Sequence, residues 1–451
     1  MEAGRYQIVS SPPSRPAGAE RRWLAVAAAL LLVAGATTVV LQSYPAPSMP
    51  LLLTGGLALL GVLALALTRY EAAVAVGFLL LGVVQVEPAP PDGVLAVVIA
   101  AALVTGRFDP GRVPLAIGGL IGVLISLSLL SALEAIDTAA AARFFGITLY
   151  LAVLSVWLAG YVNSRRRARS VVLPYIAGAV GSALLGSLAL LAPIPGREVF
   201  LLEGCCRAQA LFKDPNVFGA FLVPAILILM SELVRPRLFR GWRGLQAIAV
   251  AILVVGVVLS FSRGALIGLA VGIAVTLLAL LGRPGGGREA RRMVAVTVVA
   301  GGLALVAVVA TGSLDFLTER ASLQRYDVSR FEAQRTGVEL AFQHPLGIGP
   351  GQFDALAPIA SHNTYVRVLA EQGLLGLATL LALVIATLAL AGRNVVLGRD
   401  THGISSAALL GAWCGLLANS LFIDTLHWRH LWIVAALVWA GAMRSSPPAP
   451  R

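Results

Sequence analysis

The chain has 451 residues, 58% of them hydrophobic and 12% charged. A soluble protein of this size carries about a quarter charged residues, and its helices show one apolar face, whereas here apolar residues come in blocks of roughly 14 to 23 that are apolar on all sides, which excludes a water-soluble domain. The formal net charge of +12 could suggest a nucleic-acid partner, but the basic residues are spread over short joints between blocks instead of forming one patch, and that reading is excluded too.

In chain order, the first 22 residues, rich in Pro and Ser, predict a disordered cytoplasmic tail. The block 23–41 is long and lacks a small-residue cleavage site, so it reads as a retained signal anchor. Further spans are expected at 51–68, 72–86, 93–105, 114–133, 143–162, 171–193, 215–234, 246–260, 264–281, 293–312, 365–391, 404–422 and 430–443. This is an all-α polytopic integral membrane protein of about 12–14 transmembrane helices. Fourteen spans place both termini on one side. Twelve with re-entrant pieces is the alternative, because 94–104, 246–260 and 264–281 are the weakest blocks. The expected organisation is a tail 1–22, spans 23–193, further spans 194–312, a large loop 313–361, C-terminal spans 362–443 and a tail 444–451.

Assigning alternate joints to alternate sides puts 23 basic and 7 acidic residues on one side and 11 basic and 15 acidic on the other. The positive-inside rule therefore accounts for the basicity and makes the first side cytoplasmic. Its cations include Arg69, Arg107, Arg112, the run Arg165 to Arg169, Arg235 to Arg243 and Arg283 to Arg292. Nearly all joints are short; the exceptions, 194–214 and 313–361, both fall on the outer side, where chemistry is to be sought.

The larger outer segment contains a helix. Ser329 with Glu332 forms a capping-box pattern, and Phe331, Val338, Leu340 and Phe342 can make an apolar stripe, so a helix is expected over 330–343, stopped by Pro345. The run GIGPGQF that follows, with Gly349 and Gly351, supplies a tight, close-approaching turn; it follows no strand and carries no P-loop lysine, so it is not a nucleotide fingerprint. The three cysteines make no metal or disulfide framework. Cys205 and Cys206 are adjacent and bridge only with strain, which leaves them as incidental thiols, and Cys414 reads as membrane packing.

Four pieces fall on the outer side: KDPNVFG (213–219), SFSRG (260–264), SRFEAQRTGVELAFQHPLGIGPGQF (329–353) and SHNTYVRVLAEQGLLG (361–376). In this order they resemble the O-antigen ligase and polymerase superfamily, over roughly residues 213–376. The resemblance implies a GT-C-like membrane glycosyltransferase that takes a glycan from undecaprenyl diphosphate and joins it to an acceptor hydroxyl, of a lipid A core sugar, of another lipid-linked glycan or of a protein; neither cofactor nor metal is expected. It also implies an essential outer-loop histidine, which His362 matches, and diphosphate-binding arginines, which Arg263 and Arg330 match. Lys213 stands where relatives often have arginine; it keeps the charge but loses the bidentate fork. Asp214, Asn216, Asn363, Tyr365, Gly349 and Gly351 are the expected supporting residues, and the partners are the lipid-linked donor, the acceptor and membrane lipid.

The residues themselves support this chemistry. A sugar diphosphate leaves only when its growing negative charge is neutralised, by a metal or by fixed cations. Beyond Glu134 and Asp137 no outer carboxylates cluster, so cations are expected to do this, with Arg263 between two apolar blocks requiring an anionic partner. Arg263 snorkelling to headgroups, and Arg330 pairing with Asp327 or Asp354, are the plainer alternatives. His362 precedes a span, where the helix dipole disfavours imidazolium and leaves the neutral form a general base needs. Arg367 and Glu371, one turn apart, are expected to pair. His427, Arg429 and His430 near Asp424 form a second, interfacial cluster. A secondary transporter is the rival of a different class, but it would place ionisable residues at span centres and show two related halves. An assembly scaffold is the third reading.

Overall fold

The structure is a computed structural model and describes residues 49–86, 89–204, 206–241, 243–312, 314–316, 325–357 and 359–442. The expected tails, the expected first span 23–41 and Cys205 lie outside them. Among the described residues the chain is helical, with only two isolated bridges, Leu201 to Ala208 and Thr401 to Ile404. The helices of ten residues or more are α1 (Met49–Thr68), α2 (Tyr70–Leu79), α3 (Pro90–Val104), α4 (Leu115–Ser131), α5 (Thr138–Tyr161), α6 (Arg165–Leu191), α7 (Pro215–Val234), α8 (Arg243–Leu259), α9 (Arg263–Leu281), α10 (Gly287–Ala310), α11 (Arg325–Gln343), α12 (Thr364–Val396), α13 (Ser406–Asn419) and α14 (Arg429–Ala442).

Seven of these, α4, α5, α6, α7, α9, α10 and α12, are long and apolar enough to cross a membrane, and α1, α2, α3, α8, α13 and α14 are shorter apolar helices. The protein is an all-α polytopic membrane protein. Helix is what such blocks must form in lipid, where every backbone amide needs a partner within its own segment. Many starts carry a capping side chain: Asp137, Ser164, Asp214, Ser262, Asn363 and Ser405 accept from first-turn amides of α5, α6, α7, α9, α12 and α13. Pro215 at the first position of α7 costs nothing, because that amide has no intrahelical partner.

Helix α7 is buried nearly all round, against α6, α8, α9 and α13, which is why it lacks a polar face. The closest packing is between α9 and α13. Gly268 and Gly272 face Gly415 and Gly411 so closely that a Cβ on Gly268 would lie 2.8 Å from the Gly415 carbonyl oxygen, the small-residue contact by which helices approach in lipid.

Helix ends collect in two sets. At one end, Arg166 pairs with Glu71 (2.6 Å), Arg235 with Glu289 (3.2 Å) and Arg237 with Asp400 (2.9 Å), while Glu232 accepts from the amides of Arg237, Leu238 and Phe239. At the opposite end, Arg429 pairs with Asp92, Gln352 with the backbone of Asp137, and the amide of Thr364 with the carbonyl of Ser420. The three weakest blocks each run from one set to the other. α3 carries Asp92 in its first turn and ends near Arg107, which lies over the Tyr70 ring; α8 carries Gln246, bonded to the Phe239 carbonyl, in its first turn and ends at Leu259, which accepts from Ala208; α9 starts at Arg263 and is followed by Arg283, bonded to Ser406. None of the three turns back midway.

The loop helix differs from expectation in two ways. α11 already includes Arg325, so Ser329 lies inside it and does not cap it, and Arg330 lies beyond its first turn. Its stop at Gln343 is as expected. The stripe differs in part: Phe331, Val338 and Phe342 are exposed, Leu340 faces inward as expected and is half-buried, and the rest of the inner face is Ala333 and Gly337, packed near Ile348, Phe353 and Ala370. The small residues face inward because α12 and Phe353 come too close for larger ones; a Cβ on Gly337 would lie 2.6 Å from Val366.

Candidate active site at one end of the bundle

The starts of α7 and α9 are tied together by a buried arginine. The Asp214 carboxylate caps α7 by accepting from the Asn216 amide at 2.5 Å. The Asn216 side-chain oxygen accepts from Arg207 Nη2 at 3.1 Å, and Arg207 Nε donates to the Ser260 carbonyl at 3.0 Å. Two of the four pieces, KDPN and SFSRG, are therefore held side by side by a residue belonging to neither. Lys213 is exposed at the start of α7, and Arg263 is half-buried in the first turn of α9, after its cap Ser262.

His362 lies just before the cap of α12, in the left-handed region (φ 47°). Its Nδ1 is 2.6 Å from the Ala360 carbonyl oxygen. A carbonyl only accepts, so Nδ1 carries the proton and the lone pair is on Nε2. Burial lowers the imidazole pKa, and the neighbouring Arg330 lowers it further, against the raising influence of the Ala360 carbonyl, Asp214 and Asp354. Burial and a neighbouring cation thus favour the neutral form, in addition to the helix dipole invoked from sequence. Arg330, Asp214 and Asp354 are the charged side chains whose fields reach His362. Asn363 caps α12, accepting from Tyr365 and Val366 at 2.9 and 3.1 Å while donating to the Leu421 carbonyl at 3.2 Å. Tyr365 is half-buried against the core.

Beyond His362 the helix is broken. Gly373 has φ 69° and ψ −174°, so the carbonyls of the turn before it lose their usual intrahelical donors. The glycine-rich turn supplies the missing donors: Ile348 N bonds the Ala370 carbonyl at 3.0 Å and Gly349 N the Glu371 carbonyl at 3.1 Å. Gly349 and Gly351 have φ of 98° and 75°, and a Cβ on either would collide with Ala135 or Phe144. These glycines are required by close approach to α5 and the turn before it.

The buried guanidinium of Arg367 pairs with Glu371 at 3.0 Å, Asp354 at 3.2 Å and Asp424 at 3.3 Å, and stacks 4.7 Å from the centre of the Phe144 ring. One cation thereby joins the large loop, the broken helix, the α13–α14 turn and α5. The sequence pairing of Arg367 with Glu371 is present, and Asp354, an alternative partner for Arg330, is engaged with Arg367. Of the second cluster, His427 bonds Thr148 (2.9 Å) and burial holds its imidazole below its ordinary range; Arg429 pairs with Asp92; His430 is buried against Phe221 and Trp428.

The structure thus sets His362 within electrostatic reach of Arg330 and Asp214, joins Asn216 to the loop before Arg263, and gives Asp214, Asn363 and the two glycines structural work. Sequence reasoning missed the role of Arg207 and the pairing of Asp354 and Asp424 with Arg367, contacts that span 9 to 57 positions. Gln352, which spans 215 positions to grip Asp137, was equally illegible.

The O-antigen ligase family matches residues 248–381. The matched stretch is less than a third of the chain and contains Arg263, Arg330, the glycine-rich turn and His362, while Lys213, Asp214 and Asn216 precede it. It supports the O-antigen ligase and polymerase superfamily to which the motifs point. No curated protein matches the chain.

Proposed function

We propose that this protein, whose residues 248–381 carry the O-antigen ligase domain, transfers a glycan from undecaprenyl diphosphate to an acceptor hydroxyl of a lipid A core sugar. The observation that carries the reading is the setting of His362. Its Nδ1–H donates to the Ala360 carbonyl, which leaves Nε2 as the free base, and burial together with the charge of Arg330 lowers its imidazole pKa.

In the reaction the acceptor oxygen attacks the anomeric carbon while its proton passes to Nε2 of His362. The bond from that carbon to the diphosphate oxygen breaks, and undecaprenyl diphosphate leaves with the electron pair. Arg263, Arg330 and Lys213 stabilise the charge that grows on it, an effect that fixed cations supply without reorganisation. The active end faces away from the cytoplasm, in an inner membrane that both termini leave on the cytoplasmic side. A polymerase would use the same donor steps with a second lipid-linked glycan as acceptor; products formed from a defined donor and each acceptor in turn separate the two.

The test is single-turnover transfer with the purified protein, in excess EDTA and after His362→Ala. Transfer is expected to persist in EDTA and to drop by about a hundredfold or more in the variant, with donor binding nearly intact. A strict need for added Mg²⁺, or a folded His362→Ala protein that transfers normally, would overturn the mechanism.

A further inference from the structure

We infer that the first turns of α10 form a binding site for the phosphate headgroup of an anionic membrane phospholipid, at the arginine-rich end of the bundle and independent of glycan transfer. Arg288, Arg291 and Arg292, with Ala295 below them, line an open surface depression of about 340 Å³. Their spacing, with Ala295, puts all four on one face of the helix. The same face continues into Val299, Leu303 and Val306, all exposed on a helix apolar enough to span a membrane. Cations therefore lie at the top of a stripe that contacts lipid tails, the order in which a phospholipid presents phosphate and acyl chain.

The charge at this place calls for an anion. A helix start already carries the positive end of the dipole, so three arginines there repel it as well as one another. The start has no side-chain cap, since Gly286 occupies the cap position. The one carboxylate in the first turn, Glu289, is engaged by Arg235 at 3.2 Å. Elsewhere at this end Arg166, Arg237 and Arg283 have carboxylates beside them. No salt bridge joins Arg288 or Arg291 to a carboxylate among the described residues, and Arg292 reaches only the Val234 carbonyl at 3.5 Å. A phosphodiester supplies what the protein leaves out: several acceptor oxygens and a negative charge that guanidinium groups can grip by paired hydrogen bonds.

The experiment is native mass spectrometry of the detergent-purified full chain, with dioleoyl phosphatidylglycerol and dioleoyl phosphatidylethanolamine as probes. Phosphatidylglycerol is expected to bind about tenfold or more tightly than the zwitterionic lipid. Arg288→Gln/Arg291→Gln should abolish that preference, and Arg165→Gln/Arg169→Gln, the same charge change at the same end, should retain it. Both pairs are exposed, and unchanged thermal unfolding checks their folding; in addition, phosphatidylglycerol should raise the unfolding temperature of the unaltered chain but not of the first variant. Equal binding of the two lipids, retention of the preference in Arg288→Gln/Arg291→Gln, or displacement of the lipid by inorganic phosphate at equal concentration would overturn the proposal.

Discussion

His362 and Arg367 sit five positions apart and make opposite demands on charge. Under the proposed mechanism His362 acts as the neutral base, and burial together with Arg330 lowers its pKa from an ordinary value of about 6.5. Transfer should then be level near neutral pH and fall on the acid side, as the imidazole is protonated, through an apparent pKa below that value. Arg330→Gln removes one lowering influence, so its acid limb should move to higher pH in a pH–rate profile, in addition to any loss of donor affinity. An unmoved limb would separate Arg330 from the base. Arg367 has the reverse task of neutralising three carboxylates. Arg367→Met leaves Glu371, Asp354 and Asp424 facing one another, two of them well buried. Breaking a buried ion pair in this way costs about 3–5 kcal/mol, so the variant should unfold at a markedly lower temperature in detergent. The conservative Arg367→Lys should recover only part of this, because a point charge cannot reach three carboxylates as a planar fork does.

Among the elements, α12 depends on being broken. The break at Gly373 frees carbonyls that the glycine-rich turn then occupies, which fixes the large loop against the helix carrying His362 at its start. Gly373→Ala meets a left-handed φ and the carbonyl of Pro345 together. It should lower thermal stability and, by loosening the turn, lower transfer as well. Gly392→Ala, in the same helix with nothing near its Cβ, is the control; it should be neutral or stabilising by up to about 1 kcal/mol through helix propensity. Equal effects of the two substitutions would mean that the break has no structural role. The α9–α13 contact makes a similar demand, and Gly268→Val, which must push the Gly415 backbone away, should destabilise the bundle and displace Arg263.

For the whole molecule, the two sets of helix ends imply a definite alternation. Reporter tags after Arg167, Arg240 and Arg291 should all be found in the cytoplasm, and tags near Gly204 and His344 on the other side. A mixed result within either group would contradict the grouping of ends by contact, and reversal of both would put the proposed site on the wrong face. Among the described residues, the buried arginine, glutamate and histidine side chains, Arg207, Glu232, Arg237, Arg367, Glu371 and His430, belong to helix ends, to the turns between helices or, for Glu371, to the stretch just before the Gly373 break. That distribution suits chemistry at a membrane surface better than a conduction path through its centre.

The amino-acid sequence by itself determined that the chain is an all-α membrane protein, roughly where its helices lie, and which four pieces carry the superfamily resemblance. These are local properties: block length and apolarity decide helix in lipid, and motifs are contiguous. Lengths at helix ends were less legible, as the early start of α11 shows, because a capping pattern competes with whatever precedes it. Only the tertiary structure decided that Phe331 and Phe342 face outward while Gly337 faces in, that Arg207 ties Asn216 to Ser260, and that Arg367 gathers Asp354, Glu371 and Asp424. Each of these depends on residues far apart in the chain arriving at one place, where the available volume and the cost of an uncompensated buried charge select the partner, and neither quantity is written in local spacing.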